Sequence, residues 1–588
     1  MSLFEKNKDR GSSLIDVIFS ITIVAFLFGA IYLVYFSLYG AIANIQVRND
    51  ATAVLNQQIE TMRNMPYANI GTVGGIPAGT IPPQQSIRYD NNNFMLATDI
   101  MNVEDPAGQS FGEPTGTVDY KTAQFTISCP SCQNFNSLSL TTTFAPPGLQ
   151  STLGQGSLFV NVFDSNGNGI PNVNVTVLNP TITPAVNLTD TTNDSGTLQL
   201  VGVPTSTQGY QIFVSKAGYS SAQTYPVGAS GNPNPSQPNI TVAQQQLSTA
   251  SFAIDRTSPL AVLASNNVCA GIAGTGFSIS GSKLIGTNPN VLKFATTSIT
   301  NGSGTSLFPV MEWDTYTFAL TSSSYDLLGT TPLTPLTINP SSSASFDFVL
   351  APKIPKSLLI TAADAATGAG VPGVTVTLSG GAFSQKLVAG KSSWTDSTWA
   401  NGAYTTQSGG IDVDSVPGTM QLFANASGTY ATSTPSWLIS KTIDFGTSTA
   451  NYISFSATPV AEPPSTGAGS AGFQLAANND GATWNFTGPD GTSGSFYTAS
   501  STVANLNSDR YLRYKVFLST QDSATSPYVN DVTIGFSSPC VPQVQVLFSS
   551  LSSGSYTIDA TAPNYIEATS SVSVSSNAQS AQILLTHQ

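Results

Sequence analysis

The chain has 588 residues, too many for one hydrophobic core, which predicts several domains of roughly 100–200 residues each. Its net charge of −13, with only 19 Lys and Arg residues, argues against a nucleic-acid binder, which needs a basic face. Only 9% of the residues are charged, and short apolar runs are broken by Gly, Pro and Asn, which predicts a mainly β chain with a neutral polar surface.

The N-terminal region carries a long apolar run, because residues 17–47 include no charged side chain. The run exceeds the ~20 residues that span a bilayer, and the basic residues before it favour a cytoplasmic N-terminus. Apolar residues then continue at helical spacing until Pro66. We therefore expect one helix of roughly 54 residues that crosses a membrane and continues as an amphipathic rod.

The start of this run resembles a type IV prepilin. A charged leader ends at Gly11, the small residue Ser12 follows, and Asp16 lies at the head of the apolar helix. The resemblance implies cleavage after Gly11 by a prepilin peptidase, methylation of the new N-terminus at Ser12, and an assembly role for Asp16. The family usually has Phe where this chain has Ser12 and Glu where it has Asp16, and both departures point to a minor pilin. The alternative is an ordinary signal anchor that is never cleaved.

Residues from Tyr67 to about Leu149 contain four stretches that alternate as strands. They resemble the small antiparallel sheet of a PilV-like minor pilin head packed on the helix. This region contains Cys129 and Cys132, whose spacing fits either a small disulfide loop or two free thiols. Two further cysteines, Cys269 and Cys540, can pair only if their domains touch.

The rest of the chain contains an internal repeat in which paired tyrosines stand nine residues apart. The pairs are Tyr210 and Tyr219, Tyr316 and Tyr325, and Tyr556 and Tyr565. Segments 170–175 and 371–376 also begin alike, and residues 193–196 and 301–304 form similar Asn- and Gly-containing turns. These segments resemble carboxypeptidase-regulatory or Cna-B β-sandwiches, which act as spacers or adhesive stalks. We expect each of these tyrosines to bury its ring between the sheets and to leave its hydroxyl at the rim.

The third repeat is interrupted. Val177 and Tyr210 are 33 positions apart, whereas the corresponding Leu378 and Tyr556 are 178 apart, so the excess is the size of a domain. Insertions are tolerated at exposed loop tips, which predicts an insert over residues 384–540. The insert contains four of the five tryptophans and resembles a discoidin-like, galactose-binding jelly roll.

That resemblance makes Trp484, Asp490, Arg510 and Arg513 candidate glycan-binding residues, since aromatic rings stack on sugars and polar groups read hydroxyls. Strand alternation separates Arg510 from Arg513, and the sequence alone does not identify the binding face. The competing interpretation is that the aromatic side chains fill the core of the insert.

The sequence offers little to a catalytic or metal site. His587 is the one histidine, and neither a general base nor a convincing carboxylate pair accompanies the many hydroxyls. Residues 164–169 match half of a calcium loop, but Val175 stands where the final Glu is needed, which favours a hairpin turn and leaves weak calcium binding open. We predict no enzyme activity, no catalytic residues, no cofactor and no metal.

The expected fold class is α+β overall: a long transmembrane pilin helix with a small antiparallel sheet, then a mainly β chain of Ig-like sandwiches and a jelly roll. The expected domains are the leader 1–11, helix 12–66, head 67–149, sandwiches 150–249, 250–353 and 354–383 plus 541–588, and the insert 384–540.

The expected function is a minor type IV pilin-like subunit that displays an adhesive stalk. Its expected partners are other pilin subunits, the prepilin peptidase, inner-membrane lipid and surface glycans, and not nucleic acid. The precursor would lie in the cytoplasmic membrane, and the mature subunit outside the cell. The first alternative is an unprocessed, single-pass membrane-anchored adhesin, and a glycan-active enzyme is the less favoured one.

Overall fold

The computed structural model describes residues 14–103, 120–132, 135–146, 154–432, 434–506 and 508–588; within the first helix, positions 14–17, 19–20, 30 and 33–43 are described by backbone alone. The chain forms two compact units. One ends at residue 255 and also contains residues 284–291, and the other contains residues 256–283 and all residues from 292 onward.

A single helix, α1, spans Leu14–Arg63 and ends shortly before Pro66, as the sequence predicts. The apolar residues of its last part are buried against the sheet that follows; they are Ala51, Val54, Leu55, Ile59 and Met62. Across the described part of the chain, no helix combines the length and apolarity that a membrane crossing requires. The transmembrane part of the expected fold therefore has no support from the structure.

Four antiparallel strands pack on the last part of α1 in the order β1-β2-β3-β4. They are β1 (Gln84–Tyr89), β2 (Asn92–Val103), β3 (Tyr120–Ser128) and β4 (Leu138–Phe144). Alternate residues of β2 and β3, including Phe94, Leu96 and Phe125, enter the core with the helix, while their neighbours face outward. A short 3-10 helix at Tyr67–Asn69 connects α1 to this sheet.

Three β-sandwiches follow. The first contains β5 (Gln155–Phe163), β6 (Asn174–Asn179), β7 (Val186–Thr191), β8 (Thr197–Pro204), β9 (Ser206–Ser215), β10 (Ala222–Gln223), β11 (Ile240–Val242) and β12 (Leu247–Ala253). The second contains β13 (Ser258–Ser265), β14 (Gly276–Gly281), β17 (Ala295–Ile299), β18 (Thr305–Met311), β19 (Asp314–Leu320), β20 (Tyr325–Thr331), β21 (Leu336–Ile338) and β22 (Ala344–Pro352). Two short strands, β15 (Leu284–Gly286) and β16 (Val291–Leu292), lie between β14 and β17 in the chain.

The third sandwich is built from two chain segments that surround an insert. Its first segment supplies β23 (Leu358–Asp364), β24 (Thr375–Gly380) and β25 (Phe383–Val388). The insert supplies β26 (Ser392–Asp396), β27 (Tyr404–Gln407), β28 (Ile411–Asp412), β29 (Met420–Leu422), β30 (Ser436–Ser440), β31 (Ile443–Asp444), β32 (Asn451–Thr458), β33 (Ala471–Asn478), β34 (Ser500–Thr502), β35 (Tyr511–Leu518), β36 (Tyr528–Val529) and β37 (Asp531–Ser537), with 3-10 helices at Ala400–Gly402 and Pro464–Thr466. The second segment supplies β38 (Gln545–Phe548), β39 (Gly554–Thr561), β40 (Ala568–Val574) and β41 (Gln579–Leu585).

The three sandwiches share a common core topology, to which the second adds β20 beside β22. In each, the first strand pairs in parallel with the last, as β5 with β12, β13 with β22 and β23 with β41. In each, a central antiparallel pair forms the middle of the second sheet, as β6 with β9, β14 with β19 and β24 with β39. The same connectivity repeated three times is what an internally repeated sequence predicts.

The first tyrosine of each repeated pair is buried in its sandwich. Each hydroxyl donates a hydrogen bond to a backbone carbonyl just upstream: Tyr210 to Pro204 at 2.7 Å, Tyr316 to Glu312 at 2.8 Å, and Tyr556 to Ser552 at 3.0 Å. The expected burial of the ring is confirmed for these three, whereas the second tyrosines of the pairs are only half-buried: Tyr219, Tyr325 and Tyr565. Burial raises the pKa of Tyr210 to about 12, so this hydroxyl stays a donor near neutral pH.

The insert folds as a separate sandwich with its own core. One sheet has the order β26-β37-β32-β34, and a second has the order β27-β30-β35-β31 with β33 paired to the free side of β35. A small third sheet has the order β28-β29-β36. Residues 384–388, which the sequence placed at the start of the insert, instead belong to β25, which pairs with β24 of the third sandwich. Residues 483–486, which include Trp484, form no strand.

The chain as a whole is mainly β, and the described residues contain only one long helix. The mainly β part of the expected fold is confirmed, and the expectation of an α+β chain overall is wrong. Helix α1 is one element of a described chain whose other regular elements are β-strands and short 3-10 helices.

Candidate functional site

Strand β35 of the insert has one buried face and one outer face. Leu512, Tyr514, Val516 and Leu518 are buried, and the residues between them are half-buried. Within the sheet, β33 pairs with one edge of β35 and β30 pairs with the other edge. Arg513 therefore belongs to the outer face of the sheet. The sequence alone had not identified which face could bind a ligand.

Cations and aromatic rings alternate on this outer face. The guanidinium carbon of Arg513 lies 4.3 Å from the centroid of the Trp484 ring. The Lys515 ammonium lies 4.4 Å from the Trp437 ring centroid and 4.7 Å from that of Phe517. These distances are typical of cation–π contacts. We call these five residues the cation–aromatic ladder.

The two cations of the ladder have no carboxylate partner among the described residues, in which the ion pairs involve other side chains. Partial burial lowers the pKa of both Arg513 and Lys515, and no nearby acid opposes this effect. Arg513 donates one hydrogen bond through Nε to Thr442 Oγ1 at 2.8 Å. The ladder therefore presents two oriented positive charges in a chain whose net charge is negative.

Arg510 is placed differently from Arg513. Its Nε and Nη2 donate to the two carboxylate oxygens of Asp444 at 2.8 and 2.9 Å, so its planar fork is occupied. The guanidinium holds the pKa of Asp444 below its usual range. Arg510 also lies 5.0 Å from the centroid of the Tyr511 ring. This arrangement fixes the connection before β35 and leaves Arg510 poorly placed to bind a ligand.

Asp490 organises a loop beside the ladder. Its Oδ1 accepts hydrogen bonds from the backbone and hydroxyl of Thr492, both at 2.8 Å, and from the hydroxyl of Ser495. The bond from Ser495 is the main cause that lowers the pKa of Asp490. Asp490 therefore shapes this turn, and the structure does not bring its carboxylate together with the arginines.

Gln474, a buried residue of β33, holds the same loop by hydrogen bonds. Its Nε2 donates to the carbonyls of Ser493 and Ser495 at 2.8 and 3.1 Å. Phe496, at the end of the loop, makes an edge-to-face contact with Phe517, with ring centroids 5.1 Å apart. The loop that carries Trp484 and Phe496 is thus held against the sheet, so the ladder is organised before any ligand arrives.

The insert tryptophans divide between core and surface. Trp399 is fully buried, and Trp394 packs partly against the core on the other sheet. Trp437 and Trp484 are half-buried and belong to the ladder. The core interpretation is therefore right for Trp399 and wrong for Trp484.

The other predicted site residues do not belong to the insert. Gly11 and Ser12 fall outside the described residues, and Asp16 is helical with its side chain outside them. Cys129 and Cys132 form a disulfide in the first unit, and Cys269 forms a second disulfide with Cys540.

The Asp164 turn closes on itself as a hairpin turn. Asp164 Oδ1 accepts the backbone N–H groups of Asn166 and Asn168, each at 2.8 Å, and Oδ2 accepts the Asn168 side chain at 3.1 Å. Searched over the described residues, the chain contains no cluster of three His, Cys, Asp or Glu side chains suited to a metal ion.

Sequence reasoning missed Trp437, Lys515 and Phe517. The signal for Lys515 and Phe517 was present, because the alternation that places Arg513 outward continues for four more residues. Trp437 joins the ladder only through the pairing of β30 with β35, in which it lies opposite Phe517. No local sequence pattern predicts a partner that lies 80 positions away.

No protein-family model matches the chain. No curated protein sequence matches it. Among solved structures, the Bacillus anthracis TIE protein aligns at 10% identity over 86% of this chain and 73% of its own, with a TM-score of 0.15. The Streptococcal ancillary pilin aligns at 8% identity over 74% and 99%, with a TM-score of 0.15. The minor pilin GBS52 of Streptococcus agalactiae aligns at 14% identity over 34% and 99%, with a TM-score of 0.16. TM-scores at this level carry no argument about function.

Proposed function

We propose that the chain is a structural and adhesive subunit of a pilus, in which tandem β-sandwiches display a glycan-binding insert. The observation that carries this proposal is the cation–aromatic ladder on the outer face of β35. The three sandwiches of common core topology suit a stalk, because they repeat a compact unit. The proposal includes no catalytic step.

The ladder has the chemistry of a sugar-binding surface. Half-buried Trp484 and Trp437 offer rigid aromatic faces, which lose little conformational entropy when a sugar ring stacks on them. Arg513 and Lys515 each cover one face of one of these rings, have no acidic partner among the described residues, and can pair with a carboxylate or sulfate group of the sugar. The ligand class best suited to the ladder is therefore an acidic glycan.

A glycan array on the full chain, with matched variants, tests this role. We expect Trp484→Ala and Lys515→Met each to weaken binding to acidic glycans at least tenfold. Phe423→Ala provides the control, because Phe423 is 60% exposed in the same insert and does not belong to the ladder. The control should bind as the parent does. Binding by all three variants equal to that of the parent would remove the ladder from the site.

We further propose assembly through α1 after cleavage following Gly11 by a prepilin peptidase. The support comes from the uncharged run 17–47 and from Asp16 at its start. An acid in a membrane environment is costly unless it is paired, and the amine of Ser12 on a neighbouring subunit is a suitable partner. The precursor would lie in the cytoplasmic membrane and the mature subunit outside the cell, in contact with other pilin subunits.

The second candidate is an unprocessed, membrane-anchored surface adhesin. The same ladder would serve it, and the difference lies only at the N-terminus. Mass spectrometry of the mature chain separates the two. A methylated N-terminus at Ser12 is expected of the pilin, and an intact Met1 would establish the anchored form.

A further inference from the structure

A disulfide ties the second sandwich to the insert. Cys269 lies in the loop that follows β13, the first strand of the second sandwich, and Cys540 lies just after β37, the last strand of the insert. The two cysteines are 271 positions apart. Both lie in the same compact unit, and the bond closes most of that unit into one covalent loop.

The loop around Cys269 is also seated on the insert by non-covalent contacts. Asn267 Nδ2 donates to Ser392 Oγ at 2.8 Å, and Val268 packs against the insert core. Gly446 of the insert has φ of +68°, and a Cβ there would overlap the carbonyl oxygen of Val268 and the side chain of Cys269. The surface is therefore shaped to receive this loop, so the disulfide forms within a docked interface.

The third sandwich has a weakness that this cross-link offsets. Strands β23 to β25 come before the insert, and β24 is an inner strand of the order β25-β24-β39-β40. Tension that reached the insert along the backbone would pass through β23, β24 and β25 first. Pulling β24 away from β39 would open that sheet and expose the core of the third sandwich.

We propose that the Cys269–Cys540 disulfide is a shortcut for mechanical force between the second sandwich and the insert. Force entering along β13 crosses the disulfide directly to the end of the insert. The remaining strands of the second sandwich, and β23 to β25 of the third, then lie outside the covalent path. This function goes beyond the adhesive role and does not depend on which ligand the insert binds.

The shortcut changes the length of the covalent path to the insert. From Cys540 back to the exposed Ala482 the path is 58 residues, whereas from Cys269 forward to Ala482 it is 213 residues. The cross-link therefore shortens the covalent path to Ala482 by 155 residues, the difference between 213 and 58. At roughly 3.3–3.6 Å per residue this amounts to ~500–560 Å of chain.

Single-molecule pulling on the full chain tests the proposal. One handle is a tag at the N-terminus, and the other is attached through an azide-bearing residue placed at position 482, which adds no thiol. We expect the C269S/C540S variant to reach a fully extended length ~500–560 Å greater than that of the parent. The C129S/C132S variant is the matched control, because that disulfide encloses a separation of only 3 positions. It should extend as the parent does.

In-situ reduction of the folded parent repeats the test without a substitution, so a variant that fails to fold does not decide the result. A greater fully extended length on reduction supports the shortcut. Equal lengths of the oxidised and reduced parent would overturn it, as would an equally large increase in the control variant.

Discussion

The backbone N–H of Gly390 donates to the carbonyl of Pro542 at 2.8 Å, so the chain leaves the third sandwich and returns to it at one point. Gly373 of the same sandwich likewise bonds Gln543 at 3.0 Å. The insert leaves after β25 and returns before β38, which is where the other two sandwiches have the short turns 192–196 and 300–304. A whole sandwich therefore occupies the place of a short turn between the two sheets.

Deleting residues 391–541 and joining the ends with a short Gly-Ser linker should leave the third sandwich folded, because the joined ends are already adjacent. Cys269→Ser is included so that no unpaired thiol remains. Hydrogen exchange measured by mass spectrometry should show protection of β24 and β39 close to that of the parent. Loss of that protection would mean that the insert is needed to complete the third sandwich.

The core of the insert contains a short chain of buried polar groups. Trp399 Nε1–H donates to the Tyr514 hydroxyl at 2.6 Å, and that hydroxyl donates to Asp396 at 2.6 Å. Tyr514→Phe should destabilise the insert by ~1–3 kcal/mol, because it leaves the Trp399 N–H without its acceptor. Denaturant unfolding followed by tryptophan fluorescence checks this, since four of the five tryptophans lie in the insert.

Tyr404→Phe is the matched control for that measurement. The Tyr404 hydroxyl accepts a bond from Gln407 at 2.9 Å and is only part-buried, so water can take its place. We expect a change of no more than a few tenths of a kcal/mol. If both substitutions lowered the free energy of unfolding equally, the buried hydrogen bonds of Tyr514 would contribute no more than the part-buried one of Tyr404.

Asp99 on β2 makes the first unit sensitive to pH. Burial, together with the nearby Asp190, raises the pKa of Asp99 to about 6. A raised carboxyl pKa means that the folded state binds the proton more tightly, so its stability falls as pH rises from about 4 to about 6. Hydrogen exchange of β2 and β7, corrected for intrinsic rates, should be faster at pH 7 than at pH 4.5.

Asp99→Asn should remove most of this pH dependence, because the amide carries no charge at either pH. Asp194→Asn, at an exposed turn of the first sandwich, should leave the dependence as it is in the parent. If Asp99→Asn kept the full dependence, the sensitivity would belong to other groups.

Asp16→Ala tests the assembly role proposed for the N-terminal acid. We expect the variant to reach the membrane normally but to be depleted from sheared pili, because the N-terminus of its neighbour loses its charged partner. Asp16→Glu restores the acid that prepilins usually have and should assemble at least as well as the parent. Normal incorporation of Asp16→Ala would reduce Asp16 to a boundary charge.

Much of the architecture follows from local pattern. The helical spacing of Val54, Leu55 and Ile59 predicted the buried face of α1, and Pro66 predicted its end. Both signals are local in the sequence. The nine-residue tyrosine spacing foretold the repeated sandwiches. Such features depend on periodicity and steric limits that each segment carries with it.

The sequence predicted only part of the candidate site. Alternation along β35 separated Arg513 from Arg510, but Asp490 and Arg510 looked like ligand-binding residues until their partners were known. Asp490 bonds within its own turn, and Arg510 pairs with Asp444 from a different strand. The sequence alone does not show whether a charged side chain is already engaged in an ion pair or a hydrogen bond.

The sequence by itself determined the β-rich class, the helix, the threefold repeat and the existence of an insert, because these follow from short-range spacing and chain length. Only the tertiary structure decided that Trp437 meets Lys515 and that Cys269 meets Cys540. Those contacts join residues far apart in the chain, and their geometry depends on how whole sheets pair and dock, which no local pattern encodes.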